Sequence, residues 1–120
     1  MRDIPRRVDA EMELIADGTE LNESTDGNGG GILVGAGQIL KAVVKVGDKS
    51  GTSPTLDTHI EESDDDSSYT DVVNGAFAQI TDAGDWEIVF KTTKAYVREV
   101  TAVGGSDTPK FTDCHIYICG

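Results

Sequence analysis

A chain of 120 residues accommodates one domain with one modest core. Ten Lys and Arg stand against 22 Asp and Glu, a net charge of −12, which excludes nucleic acid as a partner class because phosphate backbones are held by clustered cations. No apolar run approaches the roughly 20 residues that cross a bilayer. Met1–Arg7 is polar and basic, with no apolar stretch behind it, so neither a membrane span nor a secretory leader is expected.

In chain order, residues 1–11 read as a basic N-terminal arm. Arg2, Arg6 and Arg7 supply three of the ten positive charges, and Pro5 prevents a regular start. Such an end is either unstructured or docks on an acidic neighbour. Residues 12–120 read as one β-sandwich domain. Met12-Glu13-Leu14-Ile15 fits a strand or a short helix. Asn22-Glu23-Ser24 matches a glycosylation sequon, discounted without a secretory leader. Asp26–Gly31 is a Gly-rich loop, and Ile32-Leu33-Val34 is a short apolar run stopped by Gly35 and Gly37.

Period-two alternation then becomes clear. Leu40, Ala42, Val44 and Val46 alternate with Lys41, Val43 and Lys45. The cluster Gly47–Pro54 predicts a turn, and Leu56, Thr58 and Ile60 alternate with Asp57, His59 and Glu61 in the next strand. Asp64-Asp65-Asp66-Ser67-Ser68 is an acidic turn, its aspartates suited to accept from nearby backbone amides. Tyr69–Val73 is a turn or edge segment, and Phe77–Ile80 a strand candidate. Trp86, Ile88 and Phe90 alternate with Glu87, Val89 and Lys91. In Tyr96–Val103, Val97 and Val103 share one face, Val100 and Ala102 the other. Gly104–Pro109 predicts another turn, and Cys114, Ile116 and Ile118 define a last strand. The expectation is an all-β fold: an antiparallel, jelly-roll-like β-sandwich of about eight strands.

Cys114 and Cys119 lie five apart in one strand, so their side chains point to opposite faces. They are expected as two free thiols, one in the core, as suits a reducing compartment. No catalytic constellation emerges. Cys114 and His115 are adjacent and face opposite sides of a strand, and His59 shares a face with Glu61 and Asp57 but no motif ties a nucleophile to it. Gly47-Asp48-Lys49-Ser50 breaks the phosphate-loop pattern at Asp48. The run Glu61, Glu62, Asp64, Asp65, Asp66 is dense in oxygen ligands, yet lacks the calcium-loop spacing. A solvated acidic turn is the expectation, with no metal and no cofactor. Trp86, Phe77, Phe90, Tyr96 and Tyr117 are expected mostly on core faces, leaving Tyr69 as the exposed aromatic.

One stretch is familiar. Leu56, Ser63-Asp64-Asp65, Tyr69-Thr70-Asp71-Val72, Phe77, Ile80, Gly84, Lys94-Ala95-Tyr96-Val97-Arg98, Val103-Gly104-Gly105-Ser106 and Phe111-Thr112 follow in an order that resembles the jelly-roll capsid cement or decoration proteins of short-tailed bacteriophages. The likeness covers about the last two-thirds of the chain, and a tail or head-completion protein would carry the same pattern. It implies a homotrimer on the capsid exterior, assembled in the host cytoplasm, that ties major capsid proteins together without chemistry. Tyr69, Arg98 and the arm arginines Arg2, Arg6 and Arg7 are the candidate interaction residues, those of the arm by their charge alone, because the N-terminal third matches the pattern less well. Arg98, on a strand face with Tyr96 and Val100, is expected either paired with a carboxylate or at an interface. The alternative is a carbohydrate- or calcium-binding β-sandwich module that uses Tyr69 and the acidic turn.

Overall fold

The computed structural model describes residues 12–22, 25–26 and 31–120, so the arm with Arg2, Arg6 and Arg7, and most of the Gly-rich loop, lie outside the described residues. Where β-branched and apolar residues alternate with polar ones, strands form as expected. Leu40, Ala42, Val44 and Val46 are buried in β4 (Ile39–Val46). Phe90 is buried in β7 (Gly84–Lys91), with Trp86 and Ile88 packed on the same side against the core. The other strands are β1 (Met12–Leu21), β2 (Thr25–Asp26), β3 (Ile32–Leu33), β5 (Asp48–Ser63), β6 (Thr70–Ala76) and β8 (Tyr96–Cys119). No helix occurs among the described residues.

All pairings are antiparallel, and the sheet order is β6-β5-β8-β4-β7. A long ribbon organises the whole. β4 and β5, separated only by Gly47, run side by side with β8 from Lys41↔Cys119 to Ser63↔Tyr96. The opposite edge of β8 takes β1, β2 and β3 in turn. Two layers result. One holds β1, the C-terminal half of β8, β4 and β7; the other holds β2 and β3, the N-terminal half of β8, β5 and β6. β6 and β7 come close on the far side, so the sandwich nearly closes into a barrel. The described residues form an antiparallel, jelly-roll-like β-sandwich of eight strands, an arrangement that leaves few open sheet edges.

Two expected turns are absent as turns. Gly47–Pro54 and Gly104–Pro109 lie almost wholly within β5 and β8, opposite one another, where the ribbon passes from one layer to the other. Register shifts between Ser50 and Thr52 and between Thr52 and Thr55 mark the bend. Gly51, Ser53, Gly105, Asp107 and Thr108 all adopt positive φ there. Gly, Asp and Pro signal a local break, but a break bends a strand when the partner strand bends with it. At Gly51 (φ +98) an added Cβ would stand 2.7 Å from Pro109 Cα. Gly51→Ala is therefore expected to cost roughly 1–3 kcal/mol in urea unfolding; a loss under about 0.5 kcal/mol, the scatter of neutral surface changes, would refute the close-approach argument.

The core between the layers joins Leu14, Ile15, Leu40, Val44, Leu56, Ile60, Val97, Phe111, Ile116 and Ile118, each nearly or fully buried. Cys114 lies within it and Cys119 on the other side of the strand, both as free thiols, as the odd offset requires. Polar residues also face inward, Thr58, Glu99 and Thr101 among them. Glu99 is 1% exposed, and its Oε2 accepts from the Thr58 hydroxyl while Oε1 has no partner. Phe77–Ile80 is not a strand of its own. It runs beside β5 through the Phe77 amide on the Thr58 carbonyl and a single bridge, Leu56↔Ile80.

Candidate functional site

The outer face of β5, β6 and β8 gathers the chemistry. In β5, residues 57, 59 and 61 point outward because 56, 58 and 60 fill the core. In β8, Tyr96 and Arg98 point outward because Val97 and Glu99 point in. The ladder sets Glu61 opposite Arg98 and Asp71 opposite Glu61, in a row across three strands.

Arg98 holds Glu61 through two donors on one oxygen, Nη2 at 2.7 Å and Nε at 2.9 Å from Oε1. Both side chains are largely shielded, at 24% and 17% exposure. Burial pushes the Glu61 carboxyl up, but hydrogen bonds from Arg98 and His59 outweigh it and hold the group below its ordinary value. The other oxygen, Oε2, faces His59 Nε2 at 3.3 Å, and Asp71 Oδ1 lies 3.3 Å from the same nitrogen.

Tyr69 covers this row. The acidic turn carries it there: Asp65 Oδ1 accepts from the Ser67 and Ser68 amides and the Ser63 hydroxyl, reversing the chain. Those bonds, the Ser68 amide first, hold Asp65 below the usual carboxylate range. The Tyr69 ring stacks on the Arg98 guanidinium, 4.1 Å from Cζ to the ring centroid. Its hydroxyl donates to Asp66 and is raised well above its ordinary pKa, by burial first and by Asp66 second. Gly31 passes so close to that hydroxyl and to Asp66 that a Cβ would collide with both.

Two of the residues singled out in the sequence, Tyr69 and Arg98, thus meet, and Arg98 is the carboxylate-paired arginine expected of so acidic a chain. Tyr69 is not the freely exposed aromatic anticipated; it is partly buried, with one ring face on Arg98. Tyr96 and Tyr117, expected in the core, lie on outer faces and are partly exposed, because the core positions of β8 fall on the alternate residues. Tyr96 stands opposite Leu33, which is 46% exposed. Aromatic side chains carry no parity signal of their own, and only the burial of Val97 and Ile116 decides it.

The acidic run is split by the same alternation. Glu61 faces out, while Glu62 faces in and accepts from the Thr93 and Lys94 amides. Among the described residues, the one group of His, Cys and carboxylate side chains whose ligand atoms converge is His59, Glu61 and Asp71, all within 4.8 Å of one another. Asp71 was missed in the sequence, where no spacing relates it to His59. The second histidine, His115, lies on the other layer's outer face, 3.0 Å from Glu13 and stacked at a tilt on Tyr117. Cys114 is poorly placed as a nucleophile: burial first, then Asp113, pushes its thiol up to about 11. A groove of about 510 Å³ at the ribbon's bend is lined by Lys49, Gly51, Ser53, Pro54, Thr55 and Thr81, with no aromatic ring.

No protein-family model matches the sequence, and no curated protein matches it either. Solved structures do. The structure is similar to BiXyn10A CBM1 in its apo form, with a TM-score of 0.51 at 15% identity over 95% of this chain and 99% of that one. It is also similar to the carbohydrate binding module CBM6cm-2 from Cellvibrio mixtus lichenase 5A, solved with cellotriose, with a TM-score of 0.46 at 8% identity over 94% of this chain and 98% of that one. A chain of infectious bursal disease virus, Gx strain, is similar with a TM-score of 0.48 at 14% identity, over 94% of this chain but 29% of the viral one. The first of these likenesses, over nearly the whole length of both chains, is one of fold: an antiparallel, jelly-roll-like β-sandwich.

Proposed function

We propose that the chain is a non-catalytic β-sandwich module that binds carbohydrate on the outer face of β5, β6 and β8. The observation that carries this reading is the face itself. The partly exposed rings of Tyr96 and Tyr69 adjoin a pre-ordered Arg98–Glu61–His59 row. A sugar presents an apolar C–H face and a rim of hydroxyls, which match a ring and paired charged donors and acceptors respectively. The fold shared with BiXyn10A CBM1 supports it. The test is affinity electrophoresis and calorimetry against soluble xylans, β-glucans and mannans. At least one should bind, and Tyr96→Ala should weaken it by tenfold or more, about the loss of 1.4 kcal/mol. No response across the panel would rule the reading out.

A second reading, a bacteriophage capsid decoration protein on the virion exterior, is favoured by a different observation. The run that resembles cement proteins, from Leu56 to Thr112, includes the residues that build this face, and Ile39, Val73 and Val89 remain 68%, 79% and 62% exposed. Apolar side chains left outside suit contact with a major capsid protein or with further copies in a trimer. Light scattering after size exclusion distinguishes the two. A trimer that sediments with expanded capsids favours decoration, and a monomer that binds glycan excludes it.

A further inference from the structure

We infer that His59, Glu61 and Asp71 form a binding site for a borderline divalent cation of the zinc type. The site shares His59 and Glu61 with the face proposed to bind carbohydrate, but a metal bound there is read directly and does not require that the face bind a sugar.

The fold brings the three ligands together in two steps. His59 and Glu61 are two apart on β5 and share its outer face. Asp71 is then set opposite Glu61 by the β5–β6 ladder, and the register shift between His59 and Glu61 draws it toward the imidazole. The result is one nitrogen and two carboxylate oxygens within 4.8 Å of one another.

Two of the three ligand spacings fit a small tetrahedral ion, and the third, between the two carboxylates, lies within 4.8 Å. With metal–ligand bonds of about 2.0–2.1 Å, the edges of a tetrahedron measure about 3.3 Å. Both contacts of His59 Nε2, to Glu61 Oε2 and to Asp71 Oδ1, are 3.3 Å. Without an ion the arrangement is poorly satisfied, because one imidazole N–H cannot point along both directions, and 3.3 Å is long for a hydrogen bond. An ion between the three replaces that shared proton with three direct bonds.

The surroundings also suit a metal. Both Arg98 donors engage Glu61 Oε1, which fixes the carboxylate and leaves Oε2 turned to His59. A ligating carboxylate is commonly oriented in this way by a hydrogen-bonded neighbour. Two carboxylates supply the negative charge a divalent ion seeks, that of Glu61 shared with Arg98. Asp71 is 80% exposed, so the fourth position opens to solvent and can take water or a ligand oxygen. Calcium is a poor match, since it wants six to eight oxygens; an imidazole nitrogen with two carboxylates suits zinc.

The experiment is calorimetric titration of the full chain with zinc chloride in a non-chelating buffer, with cobalt substitution read by visible absorption. One equivalent should bind, and cobalt should give the intense bands of a tetrahedral site. His59→Ala and Asp71→Asn should each weaken zinc by at least about tenfold, while Asp85→Asn, on β7, leaves it unchanged. Asp71→Asn alters an exposed residue, so it keeps the test intact should His59→Ala disturb β5. Absence of zinc binding overturns the inference. So does binding that survives both variants, which would put the ion elsewhere, the partly exposed Cys119 included, and so does displacement of zinc by excess calcium.

Discussion

Glu62→Ala is expected to lower the unfolding free energy by roughly 3 kcal/mol, the sum of partly overlapping charge-assisted hydrogen bonds. Glu62 is 5% exposed at the inner end of β5. Its carboxylate accepts from the Thr93 amide at 2.8 Å, the Thr93 hydroxyl at 2.6 Å and the Lys94 amide at 3.2 Å. These donors belong to the segment joining β7 to β8, so a single carboxylate fastens that connection to β5. Alanine leaves the donors unserved and opens a space beneath the segment. Glu62→Gln keeps one acceptor oxygen and should cost about half as much, on the same bond-by-bond reasoning. Urea unfolding followed by Trp86 fluorescence measures the loss, and hydrogen exchange at Thr93 and Lys94 should accelerate most. A loss below about 1 kcal/mol, within the range of an ordinary single hydrogen bond, would show that the segment is held by other contacts.

Glu99 should make stability fall as pH rises. Burial raises its pKa well above the ordinary 4.5. In the unfolded chain it ionises near 4.5; in the folded protein it keeps its proton to higher pH. Between those two values folding takes up a proton, and stability declines by about 1.4 kcal/mol per pH unit for this one group. Below 4.5 both states are protonated and the cost vanishes. Glu99→Gln preserves the shape and cannot ionise, so its stability should exceed that of the natural protein by a margin that opens from about pH 4.5 upward. Other groups titrate alike in both proteins and cancel in the difference. Paired urea unfolding curves across pH 4 to 9 are the measurement, and parallel curves would sink the idea. The orphaned Oε1 of Glu99 and the orphaned hydroxyl of Thr101 belong to the same account: each is a buried polar atom without a partner, and each lowers the margin of this small core.

Glu62 and Glu99 also show what a sequence hides. Glu62 reads as part of an acidic surface run, and nothing in the sequence singles out Glu99, which stands between Arg98 and Val100. Both prove to be interior, because β5 alternates over residues 56–62 and β8 over residues 96–101, and the inward positions there include 62 and 99. A carboxylate at an inward position is tolerated only where a partner or a proton neutralises it. The partner of Glu62 lies some thirty residues away in the chain, at Thr93. The face around Arg98 was half visible for a related reason. An arginine in so acidic a chain announces a carboxylate partner, but which one depends on the ladder that sets Glu61 opposite it.

The sequence by itself determined that this protein is all-β, antiparallel and strongly acidic, with Cys114 and Cys119 on opposite faces of one strand. These follow from composition and from a two-residue period, both local properties that any pairing partner must respect. Only the tertiary structure decided that Gly47–Pro54 and Gly104–Pro109 bend one long ribbon instead of ending four strands, because a Gly- and Pro-rich stretch reverses the chain or merely kinks it according to the strand beside it. It alone decided, too, that Asp71 meets His59 and Glu61, since that meeting comes from a register shift between β5 and β6, and register is a relation between strands that neither strand carries alone.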